Sequence, residues 1–204
     1  MIIAVTDREY TIRPFTEQLR LIAEGRPDMV IIRDKNCSID EFREFAAECR
    51  DICSEFDVDV CVNTYCQIAK ELGIGKVQLP MQILFERKGK DDSILTGASV
   101  HSIQDAKDAE ELGADWLVFG NVFETSCKVG KAGARTDMLK EVCESTSLPV
   151  YAIGGVTADN IRSVMRSGAS GACIMSGLMM AERPSEVIDR LRRNSNLQSK
   201  ISIL

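Results

Sequence analysis

Eight short apolar runs punctuate the chain, and between them lie stretches with the mixed apolar and charged spacing of surface helices. The runs cover residues 2–6, 29–33, 58–63, 76–80, 96–100, 116–122, 149–154 and 171–176. Met29-Val30-Ile31-Ile32 and Trp116-Leu117-Val118-Phe119 are continuous rather than alternating, the pattern of strands covered on both faces in a parallel sheet. Ser38-Ile39-Asp40-Glu41 predicts a helix start, with an N-cap serine and a capping-box glutamate. Ser102-Ile103-Gln104-Asp105 and Thr157-Ala158-Asp159-Asn160 predict two more. Gly113 and Gly168 read as C-terminal stops, each leading into the next apolar run.

Strand and helix therefore alternate, which predicts right-handed βαβ units. Eight units predict an α/β fold, a single-domain (β/α)8 TIM barrel over residues 1–204, with 194–204 as a loosely held tail. An open doubly wound sheet is the alternative, but no GxGxxG follows the first run. The chain has 204 residues, short for a barrel of ~250, so its loops must be lean. The fourth unit is the least regular, because Leu84 to Asp92 is charged and contains glycine.

Composition narrows the partners more than the fold. A net charge of −6 disfavours nucleic acid, which needs a basic face. Arg190, Arg192 and Arg193 read as a solvated helix end near the negative pole of the dipole. No apolar stretch approaches the ~20 residues of a membrane span, and the first residues lack a basic signal-peptide head. A cytoplasmic protein is expected, with no membrane partner; association into a homo-oligomer is left open. The eight cysteines show no CxxC and the chain has one histidine, so reduced, mostly buried thiols are expected. Cys127 differs, lying in a polar loop beside Lys128.

The last two strand candidates end in Gly154-Gly155 and Ser176-Gly177. In a barrel, the loops after strands seven and eight commonly bind phosphate through backbone N–H groups, and glycine keeps no Cβ in the way. Arg33 and Lys35 flank Asp34 at the end of the second run, where they could bind an anion or lock a loop by charge pairing. Asn63 and Gln78 are neutral polar groups able to fix a heterocycle, and Ser99 and His101 close the fifth run. The sixth run leads through Asn121 into Glu124-Thr125-Ser126-Cys127-Lys128, a polar loop suited to a lid.

As an ordered set, several of these runs resemble the thiamine phosphate synthase/TenI superfamily of small (β/α)8 barrels in thiamine biosynthesis. The resemblance is carried by Val5-Thr6-Asp7, Ile32-Arg33-Asp34-Lys35, Val77-Gln78-Leu79-Pro80, Ser99-Val100-His101-Ser102, Gly120-Asn121-Val122-Phe123-Glu124-Thr125-Ser126-Cys127-Lys128, Ala152-Ile153-Gly154-Gly155-Val156-Thr157 and Met175-Ser176-Gly177. It implies a small phosphorylated thiazole ligand, held by Arg33, Lys35, Asn63, Gln78, Ser99, Thr125, Lys128, Gly154, Gly155, Ser176 and Gly177.

Within the superfamily, the Val-Gln-Leu-Pro and Phe-Glu-Thr-Ser-Cys-Lys runs resemble the TenI, or thiazole tautomerase, branch. That branch isomerises a carboxythiazole phosphate by proton transfer and needs no metal. The synthase branch couples a pyrimidine pyrophosphate to a thiazole phosphate with Mg²⁺. It is similar to a pattern of Gln-Leu-Arg at strand two, Asn-Asp after strand three and an acidic residue after strand four. Here Ile31 replaces the glutamine, Thr64 follows Asn63, and Pro80-Met81-Gln82 offers no carboxylate. The expectation is therefore a tautomerase-like isomerase without a cofactor. The synthase, a transferase with Mg²⁺, and a non-catalytic thiazole-phosphate-binding relative are the alternatives. The tautomerase histidine stands where this chain has Asn121, so the catalytic candidates are Asn121 and His101.

Overall fold

A computed structural model describes residues 1–87, 89–123 and 135–196. Eight parallel strands close into a barrel in sequence order: β1 Ile2–Val5, β2 Met29–Ile32, β3 Val60–Asn63, β4 Lys76–Pro80, β5 Leu95–Val100, β6 Trp116–Gly120, β7 Val150–Ile153 and β8 Gly171–Ile174. Closure comes from β1 pairing with β8, with Ile2 opposite Ala172 and Ala4 opposite Ile174. The open-sheet alternative is thereby excluded.

The continuous apolar runs follow from burial on both faces. Alternate residues point inward, where Ile3, Val5, Met29, Ile31, Cys61, Trp116, Val118, Tyr151 and Cys173 fill the barrel. Their neighbours, such as Val30, Val62, Leu79, Leu117, Phe119 and Ala152, pack outward against the helices. Both sets need apolar side chains, so polar residues within the strands are few, with Gln78 in β4 and Thr96 and Ser99 in β5 as exceptions.

The connecting helices are α1 Phe15–Glu24, α2 Ile39–Ser54, α3 Cys66–Glu71, α4 Met81–Glu86, α5 Ile103–Glu111, α6 Thr136–Ser145, α7 Ile161–Arg166, α8 Ser176–Met179 and α9 Pro184–Asn196. Ser38 caps α2 and Glu41 returns a bond to the Ser38 N–H, completing the expected capping box. Ser102 caps α5 through the Asp105 N–H. The start at Thr157 is corrected: α7 begins at Ile161. The Thr157 N–H donates to the Asn160 side chain at 2.8 Å and the Asp159 N–H to the Thr157 hydroxyl, so local side-chain bonds hold a turn there. Gly113 and Gly168 end their helices at φ +82° and +90°, a conformation that favours glycine.

The irregular fourth unit resolves into a short α4 that stops at Glu86. The expected loose tail is also corrected in part, since α9 continues to Asn196; residues 197–204 lie outside the described ones. The basic end of α9 is anchored rather than simply solvated. Arg192 donates to the Gly25 carbonyl at 3.3 Å and Arg190 reaches Asp159 at 3.3 Å. Among the described residues the cysteines are free thiols, and no helix is long and apolar enough to cross a membrane. Cys127 lies outside them.

Candidate active site

The C-terminal ends of the strands surround a cavity of about 460 Å³. Parallel strands bring all these ends to one face, so positions far apart in sequence converge there. Arg33, Lys35, Asn63, Gln78, Ser99, His101, Asn121, Gly154, Gly155, Ser176 and Gly177 all line it. Thr125 and Lys128 lie outside the described residues. Below the rim the walls are apolar, with Val5, Ile31, Val118, Ile153 and Cys173. Burial pushes the Cys173 thiol up to about 12, so it stays protonated and serves as an apolar wall, not as a nucleophile.

The rim after β1 and β2 is organised by charged side chains. Thr6 ties the two strand ends reciprocally, accepting from the Arg33 N–H and donating to the Arg33 carbonyl at 2.8 and 2.9 Å. Arg33 donates to Asp7 at 3.0 Å, and Asn36 bridges to Glu9. Asp34 pairs with Arg8, whose guanidinium also stacks on Phe45. An Asp34 pair with Arg33 or Lys35 is therefore a reading the structure corrects. Successive residues in extended chain point to opposite sides, which separates Asp34 from both neighbours.

The floor differs from expectation as well. Gln78 is buried, and both ends of its amide are engaged inside the protein. Its Oε1 accepts from the Trp116 indole at 2.8 Å, and its Nε2 donates to the Ser99 hydroxyl at 3.0 Å. Asn63, which also lines the cavity, donates to the Thr64 hydroxyl at 2.7 Å. Sequence reasoning missed Trp116, because a tryptophan within an apolar run reads as core.

Near the fifth and sixth strands, His101 Nδ1 lies 2.7 Å from the Gly120 carbonyl. A carbonyl can only accept, so Nδ1 carries the proton and Nε2 keeps its lone pair in the neutral ring. Arg135 was also missed. It donates to the carbonyls of His101 at 2.8 Å and Gly120 at 3.3 Å, and stacks on Phe119, so it holds the two strand ends together. Asn121 packs against Gly154, where a Cβ would fall 2.9 Å from Asn121 Cα and Cβ. Gly154 also has φ +100°. Its lack of a side chain thus serves the fit to Asn121 as well as any ligand.

On the remaining side, the Gly154 carbonyl accepts from Phe123 N–H at 3.0 Å, and the Gly155 carbonyl from Asn160 Nδ2 at 2.8 Å. Behind α8, buried Gln18 donates to the Leu178 and Ala181 carbonyls at 2.7 and 3.0 Å, fixing the short helix that begins at Ser176.

A family model described as thiamine monophosphate synthase matches residues 2–178. The chain belongs to that family. A thiamine-phosphate synthase from Pyrococcus abyssi is 31% identical over 194 residues, covering 93% of this chain and 91% of the relative. One from Fusobacterium nucleatum is 29% identical over 176 residues, covering 85% of each. A solved thiamine phosphate pyrophosphorylase from Pyrococcus furiosus superposes with a TM-score of 0.81 at 30% identity, covering 96% of this chain and 95% of the other. The first two carry the synthase name, the second of the sequence expectations, and none of the three carries the tautomerase name that the sequence runs favoured.

Magnesium, which the synthase branch of the thiamine monophosphate synthase family implies, meets a poor donor set. Mg²⁺ binds oxygen, commonly through one or two carboxylates together with phosphates. Among the described residues, the carboxylates lining the cavity are Asp7, held by Arg33, and Glu9, held by Asn36. The positions after β3 and β4 supply Thr64, Met81 and Gln82. No group of three or more His, Cys, Asp or Glu side chains is placed to hold a metal among the described residues. The residues present do not fit the ion.

Proposed function

We propose that the chain binds a phosphorylated thiazole in the barrel mouth and joins it to a pyrimidine diphosphate ester, forming thiamine phosphate. One observation carries this reading: a single cavity is lined by two groups suited to anions, Arg33 and Lys35 after β2, and Gly154-Gly155 with Ser176-Gly177 after β7 and β8, with β1 between them. Two anionic substrates need two such groups; the carboxylate and phosphate of a carboxythiazole phosphate would fill both as well, and likeness to the synthase relatives favours coupling.

The glycine end suits the monophosphate. The Gly154 and Gly155 carbonyls are already occupied, and in a trans peptide the N–H on the same plane points the opposite way. That directs the Gly155 and Val156 N–H groups away from those bonds, in keeping with a backbone anion cradle. The cationic end suits the diphosphate. Thiamine phosphate carries one phosphate, so pyrophosphate must leave as the new carbon–nitrogen bond forms. Arg33 and Lys35 offset the charge that builds on the leaving group. The apolar walls below the rim take the rings and exclude water.

The missing carboxylates and the fifth- and sixth-strand arrangement favour a second reading, proton-transfer isomerisation of a carboxythiazole phosphate. His101 Nε2 would then be the base, since the amide of Asn121 cannot exchange a proton near neutral pH.

Purified protein assayed for coupling, with and without Mg²⁺, and in parallel for isomerisation of the carboxythiazole phosphate separates the two. Thiamine phosphate formation that Arg33→Met abolishes supports the first reading. Isomerisation without coupling, silenced by His101→Ala, overturns it. In that case Asn121→His should add little; only a wild type with weak or no isomerisation should gain ~10²–10⁴-fold from it, chiefly in kcat, because a positioned base is worth about that much.

A further inference from the structure

The floor of the cavity contains a directional hydrogen-bond chain. It starts at Trp116, the one tryptophan of the sequence. Indole N–H is a donor with no acceptor capacity, so the Gln78 atom 2.8 Å away must be its carbonyl oxygen. The Gln78 amide nitrogen then faces Ser99 and donates to its hydroxyl oxygen at 3.0 Å. That bond fills one of the two lone pairs, and among the described residues no acceptor takes the hydroxyl proton of Ser99, which is left to turn to the cavity. Ser99 is half-buried and lines the cavity. The amide cannot reverse its sense, because its nitrogen would then oppose the indole N–H, donor against donor. Gly97 makes the arrangement sterically feasible, since a Cβ there would collide with both the indole nitrogen and the Gln78 oxygen.

We infer that Trp116 and Gln78 are positioning residues that fix Ser99 as a hydrogen-bond donor. The cavity floor thereby selects a bound ring that presents an acceptor, an sp² nitrogen or a ring-borne carboxylate, over one that presents an amino or N–H group. This rests on the reading that the cavity takes a phosphorylated heterocycle.

The lone tryptophan reports on the chain directly. The experiment measures binding by calorimetry and the Trp116 indole ¹H–¹⁵N resonance by NMR. The probes are a thiazole phosphate, its carboxylated form, the N-methylthiazolium phosphate, whose ring nitrogen can no longer accept, and inorganic phosphate. In the free protein the indole proton is expected to be slow to exchange, and Gln78→Met should remove that protection. Ring ligands with an acceptor should shift the resonance; inorganic phosphate should not. Ser99→Ala is expected to weaken those ring ligands about tenfold and leave inorganic phosphate unchanged.

The double variant Gln78→Met/Trp116→Phe removes both partners of the buried bond, so it should fold while its Ser99 rotates freely. It should lose several-fold in ring affinity and all preference among the rings. An acceptor-bearing ring bound with an unmoved indole, or unchanged affinity for it in Ser99→Ala, overturns the relay. A wild type that takes inorganic phosphate and none of the rings overturns the reading of the site and the ligand class named here, even with the indole protected.

Discussion

Two sectors of the cavity rim, which meet where β1 pairs with β8, are built from different materials. Beside β1 and β2 the rim is a mesh of ionised side chains, with Asp7 on Arg33, Asp34 on Arg8 and Glu9 on Asn36. Beside β7 and β8 it is backbone, held by carbonyls bonded to Phe123, Asn160 and Gln18. Side-chain charge can be tuned one residue at a time, and part of it here is spent on internal pairs. Backbone geometry tolerates no such adjustment, because the glycines that permit it have no equivalent among side-chain-bearing residues. The first sector should therefore be adjustable by mutation and the second brittle.

Brittleness predicts the largest effect. Gly154→Val places a Cβ against Asn121 at φ +100°, which costs about 1–3 kcal/mol of strain and displaces the cradle. Phosphate-ligand affinity should fall by more than ~100-fold in calorimetry, with a lower Tm and native circular dichroism. Undiminished affinity would show that the backbone end is not the monophosphate site.

Adjustability predicts a gain in the other sector. Asp7→Asn releases Arg33 from its ion pair yet keeps an oxygen for the Glu9 N–H that Asp7 accepts. Pyrophosphate should bind roughly two- to fivefold more tightly, the value of a partly exposed ion pair, and inorganic phosphate at the glycine end should be little affected. Weaker pyrophosphate binding would mean that Asp7 orients Arg33 rather than competing for it.

Further from the ligand, Ser38→Ala removes the cap of the helix that follows the charged rim. It should cost about 1 kcal/mol, read as a small fall in Tm, without changing affinity at the glycine end.

Acid gives the smallest effect. The Ser38 backbone and hydroxyl bonds hold the exposed Glu41 carboxyl below its usual range. A depressed folded-state value stabilises above the ordinary value of about 4.5 and is lost as pH falls through the lowered one. Amide exchange at residues 38–41 should rise across that acid window, while residues 154–156 stay level.

Much of this was legible in the sequence because it is local. A strand covered on both faces must be apolar throughout, so Val30-Ile31-Ile32 and Leu117-Val118-Phe119 announce themselves. Ser38 with Glu41 works within one helical turn, and Gly113 and Gly168 act on their own backbone torsions. The contacts that give the site its chemistry are not local. Trp116 meets Gln78 across 38 positions and Arg135 meets His101 across 34. Such pairs depend on barrel register, which no window of sequence contains. For the same reason charge adjacency misled at Asp34: its neighbours in sequence are not its neighbours in space. Thr157 to Asn160 misled differently, since residues that cap helices also build competing turns.

The pairing of β1 with β8 carries a consequence for the ribosome. Ile2 emerges first, but its partner Ala172 is made some 170 residues later. Until then the nascent chain carries two unpaired parallel edges, one on β1 and one on the latest strand to dock. Open edges of that kind invite pairing with other chains. At elongation rates of about 5–20 residues per second, the exposure lasts on the order of ten to thirty seconds. Synthesis of β8 ends it on both sides at once, so a stall before β8 should lengthen the exposure and raise aggregation, whereas one after β8 has docked should not.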